Sequence, residues 1–152
     1  MNDMTIQEFC DRHGACLEGR EWALANCETM ADVWAEAKPG WLVWVATRPG
    51  VLTARELRLF AVWSAMQVQH LLADPRSLAA LDVAERYANG EATDEELAAA
   101  REAAGAAALS ARAAGAAAWA AAWAAARAAG AAQSDWIRAN TSPNFEAKEE
   151  GR

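Results

Sequence analysis

An alanine run in the C-terminal half constrains the fold of this chain more than any other feature. Between Ala98 and Ala132, twenty-four of the 35 residues are alanine and none is proline. Alanine loses no side-chain entropy when it enters a helix, so the run is expected to be helical. Thr93 and Glu96 have the spacing of a capping box, which marks the start of this helix.

The predicted helix is long for a chain of this size. If it continues unbroken to Ala139, it measures roughly 69 Å at 1.5 Å per residue. A compact domain of 152 residues has a radius of gyration of only about 15 Å. The helix must therefore break, project or find a partner. One of its faces is nearly pure alanine, which lets another backbone approach closely, and we predict a homodimer through four alanines of that face: Ala107, Ala114, Ala121 and Ala128.

The other face of the run carries large side chains. Trp119, Trp123 and Arg127 recur every four residues, which makes them neighbours on a helix surface. Arg112 lies on the same arc. Tryptophan and arginine are enriched at binding hot spots, so these four residues form a candidate partner-binding surface. The alternative places both indoles in the core with the arginines at its edge, because tryptophan is mostly buried in folded proteins.

Capping signals predict the remaining helices. Thr5 and Glu8 form a capping box and Gly14 is a stop, which predicts a helix over Ile6–His13. Further helices are expected over Glu18–Asn26, Met30–Ala37, Pro39 to about Thr47, Thr53 to about Leu72, and Pro75–Ala88.

The helix after Thr53 is apolar around most of its circumference, which is typical of a buried central helix. We therefore place the Val51–Leu72 region at the centre of the fold. The predicted fold is an all-α, single-domain bundle of about six helices with a long alanine-rich C-terminal helix. The domain covers residues 1–139, and residues 140–152 are expected to form a mobile charged tail that Phe145 could anchor.

Composition excludes some classes of partner. The net charge is −7 with a pI near 4.8, which argues against direct binding to a nucleic-acid backbone. The first residues are polar and contain no apolar signal segment, and arginines interrupt the alanine run too often for a membrane span. Three cysteines, an odd number, suggest reduced thiols. We expect a cytoplasmic protein that binds neither nucleic acid nor membrane.

One constellation has the residue types of a metal site. Cys10, His13 and Cys16 follow at three-residue intervals, and Cys27 comes later. Three thiolates and an imidazole would make a closed tetrahedral zinc site with a structural role. The spacing is not that of a standard zinc finger, and the alternative is that the cysteines are small, inert core residues. We therefore expect no cofactor, with one structural zinc as the alternative.

Catalytic signals are lacking. We find no nucleophile with an adjacent base, and the glycines of the alanine run do not follow a strand as a phosphate loop requires. His70 fits a boundary position better than a catalytic one. The sequence therefore predicts a protein that is not an enzyme.

A resemblance to known proteins is carried by three segments together with the alanine run that follows them. The segments are Leu57–Ala61, Leu71–Ser77 and Ala84–Thr93. Across roughly Val51–Ala132 the chain resembles alanine-rich helical proteins of phage and bacterial genomes. It is similar, more loosely, to a family of immunity proteins of polymorphic-toxin systems. The resemblance implies an all-α protein that works by binding, and it assigns no functional residues.

Together these observations predict a non-enzymatic, cytoplasmic, protein-binding protein associated with a phage or mobile element. It would inhibit a bacterial defence system, as anti-CRISPR proteins do, or neutralise a toxin. Its partner would be that toxin or a component of the defence system. The alternative is a zinc-stabilised assembly protein that acts by self-association.

Overall fold

The computed structural model describes residues 3–67, 69–72, 74–114 and 130–147. Within these residues the chain has eight α-helices and no β-strand, so the prediction of an all-α fold is confirmed. The helices are α1 (Ile6–His13), α2 (Leu17–Asn26), α3 (Met30–Glu36), α4 (Pro39–Ala46), α5 (Ala54–Met66), α6 (Pro75–Ala88), α7 (Asp94–Ala114) and α8 (Gly130–Asn140). A 3₁₀ turn at Gln69–Leu71 follows α5.

Helix starts are where the capping signals predict them. The Glu8 N–H donates to Oγ1 of Thr5 at 3.2 Å, and the Glu8 carboxylate accepts from the Thr5 N–H at 2.8 Å. Thr93 and Glu96 repeat this reciprocal pair at the start of α7, with distances of 3.1 and 2.7 Å. Gly14 ends α1 at a φ of 65°, a left-handed conformation that glycine adopts without steric cost.

The chain divides into two compact units. In the described residues the first unit comprises 3–53 and 133–147, and the second comprises the remainder from 54 to 132. Val51 and Leu52 belong to the first unit, whereas α5 belongs to the second. The region that we placed at the centre of the fold is therefore shared between two units. The prediction that residues 1–139 form a single domain stays a prediction.

The first unit has a core of large side chains. Leu42 of α4 and Ile137 of α8 have no exposed surface. The ring of Phe145 packs edge-on against Phe9 and Trp34, each at a centroid distance of 6.0 Å. These contacts bury Phe145 in the segment that we expected to be a mobile tail.

Two backbone hydrogen bonds hold the same C-terminal segment. The Met4 N–H donates to the carbonyl of Phe145, and the Asn144 N–H donates to the carbonyl of Val51, both at 2.8 Å. A single bridge between Asp3 and Glu146 extends this pairing. The described residues after α8 are therefore part of the first unit's fold.

The second unit contains the helices α5, α6 and α7, and α6 packs against both of the others. Helix α5 ends at Met66, before the predicted end near Leu72. The 3₁₀ turn at Gln69–Leu71 lies where the last predicted turn of the α-helix was expected, and α6 begins at Pro75. Only Phe60 and Val62 of α5 are buried, so the expected fully buried central helix is not what the described residues show.

The alanine run is described at both ends. Helix α7 is described to Ala114 and α8 begins at Gly130, so the continuity of the predicted long helix lies outside the described residues. Ala107 is buried by the chain's own atoms, which leaves it unavailable as part of a free dimer face. The other three alanines of that face have side chains outside the described part. In the described ranges, none of the helices combines the length and apolarity needed to span a membrane.

Candidate functional site

The predicted surface of tryptophans and arginines lies outside the described residues. The backbone at Arg112 belongs to α7, but its side chain is not described. Trp119, Trp123 and Arg127 fall within residues 115–129 and are not described either. This surface therefore stays a prediction, and so does the alternative that the indoles are core residues.

The four residues of the zinc hypothesis have separate local roles. The ring of His13 lies 4.5 Å from that of Phe9, between centroids. Cys16 precedes α2, and its Sγ accepts from the Gly19 N–H at 3.4 Å. Cys10 is buried and Cys27 follows the last residue of α2.

The described part of the chain, which includes all four, contains no cluster of three or more histidine, cysteine or carboxylate side chains that could hold an ion. Burial raises the pKa of the Cys10 and Cys27 thiols and lowers the pKa of His13. Each shift favours the neutral form of the group. The geometry thus supports the alternative for Cys10, a small buried thiol, and gives the zinc hypothesis no support.

An exposed apolar face on α2 is the clearest candidate for partner binding. Leu17 is 69 % exposed and Leu24 is 49 % exposed. They are seven residues apart, so they lie on one side of the helix two turns apart, with Glu21 between them. We call Leu17, Glu21 and Leu24 the α2 leucine face. Single exposed leucines are ordinary, but here two lie on one side of the same helix, where one partner could contact both.

The N-terminal segment that contains this face carries more acidic than basic residues. Residues 3–53 contain eight aspartates and glutamates against four lysines and arginines. Arg20 pairs with Asp11 at 2.6 Å, and Lys38 pairs with Glu18 at 3.2 Å. Each of these pairs joins one acidic and one basic side chain, so the excess of acidic residues in the segment is unchanged and can attract a basic partner.

The side of α2 opposite the leucines borders a cavity of about 340 Å³. Gly19, Trp22 and Ala23 lie on this side of the helix. The rest of the wall comes mainly from α1, α3 and α4 and includes Phe9, Cys10, Met30, Val33, Trp41 and Trp44. We call it the tryptophan-lined cavity.

Neither feature of α2 could be read from the sequence. The helix lacks amphipathic periodicity, because it carries large apolar residues on both sides, with Leu17 and Leu24 on one side and Trp22 on the other. Only Ala23 of this helix is buried. The i, i+7 spacing of Leu17 and Leu24 does indicate that they share one side of α2. It does not indicate whether that side or the Trp22 side packs against α4.

A polar stripe on α6, made of Asp82, Glu85, Arg86 and Asn89, is held by local pairs. Arg86 contacts Asp82 at 3.1 Å and Glu96 at 3.8 Å. These partners hold the guanidinium within the unit, so the stripe is a weaker candidate than the α2 leucine face.

Comparisons with protein-family models, curated proteins and solved structures find no match to this chain.

Proposed function

We propose that this chain is a non-enzymatic protein that acts by binding another protein through the α2 leucine face. The exposure of Leu17 and Leu24 on one side of α2 is the observation that supports it. Covering apolar surface is the main favourable contribution to most protein association, at about 25 cal/mol per Å² removed from water. The surrounding acidic excess favours a partner segment whose apolar side chains are flanked by lysine or arginine.

The role that we propose for this binding is inhibition. The partner would be a toxin or a component of a bacterial defence system, and the chain would mask its working surface in the cytoplasm. The acidic net charge supports this role, because steering toward a basic surface raises the association rate. Genes adjacent to the one encoding this chain provide the first partners to test.

The test of the surface uses a double variant, Leu17→Ser with Leu24→Ser. Leu78→Ser is the matched control, because Leu78 of α6 is also exposed, at 41 %, but lies in the second unit. We expect circular dichroism to show both variants folded, since neither removes a core contact. The double variant should bind the purified partner at least tenfold more weakly than wild type, measured by titration calorimetry. Equal binding by the double variant would exclude this face.

The test of inhibition measures the partner's own activity. Titration with the wild-type chain should reduce that activity to a plateau at one equivalent, and the double Leu→Ser variant should not. A partner that is bound but remains fully active would contradict inhibition while leaving the binding surface intact.

The tryptophans of the alanine run provide the second surface to test. We expect Trp119→Ala with Trp123→Ala to keep the melting temperature and lose partner binding, if these indoles also contact the partner. A core position would instead lower stability by roughly 3–5 kcal/mol. Thermal unfolding followed by circular dichroism separates the two outcomes.

A further inference from the structure

We propose that the tryptophan-lined cavity is a binding site for a neutral, planar aromatic small molecule. The proposal goes beyond protein binding and concerns the opposite side of α2. Its starting point is a cavity of about 340 Å³ within the first unit, which is at the lower end of the range of about 300–1,000 Å³ seen for ligand pockets.

The lining explains why the ligand would be neutral. Among the described residues that form the wall, none carries a charged side chain, and the thiols of Cys10 and Cys16 are weakly polar. Burial raises the pKa of Cys10, which keeps that thiol neutral as well. A charged ligand would lose its hydration without gaining a counter-ion, which is strongly unfavourable.

Two cations that contact rings of the wall are already engaged. The Lys38 ammonium lies 3.6 Å from the centre of the Trp41 ring and 3.2 Å from the Glu18 carboxylate. The Arg48 guanidinium likewise lies over Trp44, 4.7 Å from its centre. Both cations therefore already have favourable contacts with rings of the wall, and Lys38 also has a carboxylate partner.

Aromatic rings explain why the ligand would be planar. Trp22 and Trp41 lie 5.3 Å apart at an angle of 43°, and Phe9 meets Trp44 edge-on at 6.2 Å. Flat rings at such distances offer faces and edges to another ring, and each such contact is favourable beyond the area that it buries.

Gly19 of α2 lies against Cys16 and Trp41 in the cavity wall. A Cβ built at Gly19 would lie 3.2 Å from Sγ of Cys16 and 3.6 Å from the Trp41 ring. A Cβ at Gly19 would be tight against the Cys16 sulfur and in ordinary van der Waals contact with the Trp41 ring. There is therefore little room at this point of the wall for a side chain larger than a methyl group.

The experiment titrates four probes of similar size into the full-length protein and follows the tryptophan indole N–H signals by two-dimensional NMR. Indole and 2-naphthol are neutral and planar, naphthalene-2-sulfonate is planar and charged, and 1-octanol is neutral and linear. We expect the first two to saturate with a dissociation constant of about 0.1–1 mM. Shifts should be concentrated at Trp22, Trp41 and Trp44, among the eight tryptophans.

Variants locate the binding. Trp41→Ala should weaken 2-naphthol binding about tenfold, because it removes one ring of the wall. Trp136→Ala is its matched control, since Trp136 is also half-buried in the first unit but does not line the cavity. The double Leu17→Ser, Leu24→Ser variant should bind 2-naphthol as wild type does, which separates this site from the proposed partner surface.

A second pair of variants guards against misfolding of Trp41→Ala. Gly40 lines the cavity, and a Cβ there would meet no atom within 4 Å, so Gly40→Leu adds an apolar side chain at the cavity wall without a clash at its Cβ. It should weaken 2-naphthol binding by a similar factor. Gly105→Leu, equally unhindered in α7, should leave binding unchanged.

Three results would overturn the proposal. The first is the lack of saturable binding by both neutral aromatic probes up to their solubility limits. The second is binding of 1-octanol or naphthalene-2-sulfonate as tight as that of 2-naphthol, which would exclude a preference for neutral planar molecules. The third is a set of indole shifts that avoids Trp22, Trp41 and Trp44.

Discussion

The two units of this chain are stabilised in different ways. The first is made of helices of seven to eleven residues, and only three of its sixteen buried hydrophobic residues in the described part are alanines. The second has helices of 13 to 21 described residues, and two of its five buried hydrophobic residues in the described part are the alanines Ala88 and Ala107. Helices shorter than about 12–15 residues are marginal alone, so the first unit depends on its core. The second unit can rely more on helix propensity and capping.

The largest expected effect follows from the core of the first unit. Leu42→Ala should lower the free energy of unfolding by about 2–5 kcal/mol, because Leu42 has no exposed surface and its loss leaves a cavity. Leu78→Ala, at an exposed site of the second unit, should change it by less than about 0.5 kcal/mol. Urea unfolding followed by circular dichroism measures both. Similar losses for the two variants would contradict the placement of Leu42 in the core of the first unit.

A smaller effect is expected at Arg138 of α8, whose side chain binds two backbone carbonyls at the C-terminal end of α3. Its Nη2 donates to the carbonyl of Ala37 at 2.7 Å and its Nε donates to the carbonyl of Trp34 at 3.0 Å. Arg138→Ala removes two charge-assisted bonds to partly buried carbonyls, which should cost about 1.5–3 kcal/mol.

Arg86→Ala is the comparison in the second unit. Its contacts with Asp82 and Glu96 are more exposed, and such pairs contribute at most about 1 kcal/mol. Arg138→Lys should recover only part of the loss, because lysine keeps the charge without the planar fork. Equal destabilisation by the Arg138 and Arg86 variants, measured by urea unfolding, would show that Arg138 acts as a surface charge only.

Capping threonines should contribute less again. Thr5→Ala at α1 is expected to cost about 1 kcal/mol, and Thr93→Ala at α7 no more than that. The long helix can lose its first turn and keep the rest, whereas α1 has only eight residues. Thermal unfolding of the two alanine variants and of the corresponding serine variants checks this order, since serine should restore the cap. A larger loss at Thr93 would reverse our comparison of the units.

The smallest effect is a pH dependence at the start of α6. Contact with the Arg76 side chain and its backbone N–H lowers the pKa of Asp74 from 3.8 to about 2. Because the folded-state pKa is depressed, the stabilisation is fully present above the unfolded pKa and is lost as pH falls through about 2.

NMR titration of the carboxyl carbon should place the titration midpoint of Asp74 near pH 2 in the wild-type protein. The Arg76→Ala substitution should move this midpoint to higher pH. Asp32 in the first unit is the control, because the Thr29 side chain and N–H lower its pKa without an arginine. Its midpoint should not change in the Arg76 variant. An Asp74 midpoint that is the same with and without Arg76 would contradict the assignment.

Local signals in the sequence determine where several helices start. Thr5 with Glu8, Thr93 with Glu96, and Asp74 with Pro75 each act within three residues along the chain. Such hydrogen bonds and dihedral preferences need no distant partner, so the sequence alone predicts them. The all-α class follows for the same reason, because alanine and the capping residues favour helix wherever they lie.

The packing of these helices was decided only by tertiary structure. Phe145 contacts Phe9, and Arg138 binds the carbonyls at the end of α3, across more than 100 residues of sequence. Helix α2 shows the same dependence, because its weak periodicity does not say whether its leucines or its Trp22 side faces the core. The tryptophan-lined cavity exists because α1, α2, α3 and α4 meet around it, and that meeting depends on the shapes of side chains that lie far apart in the chain.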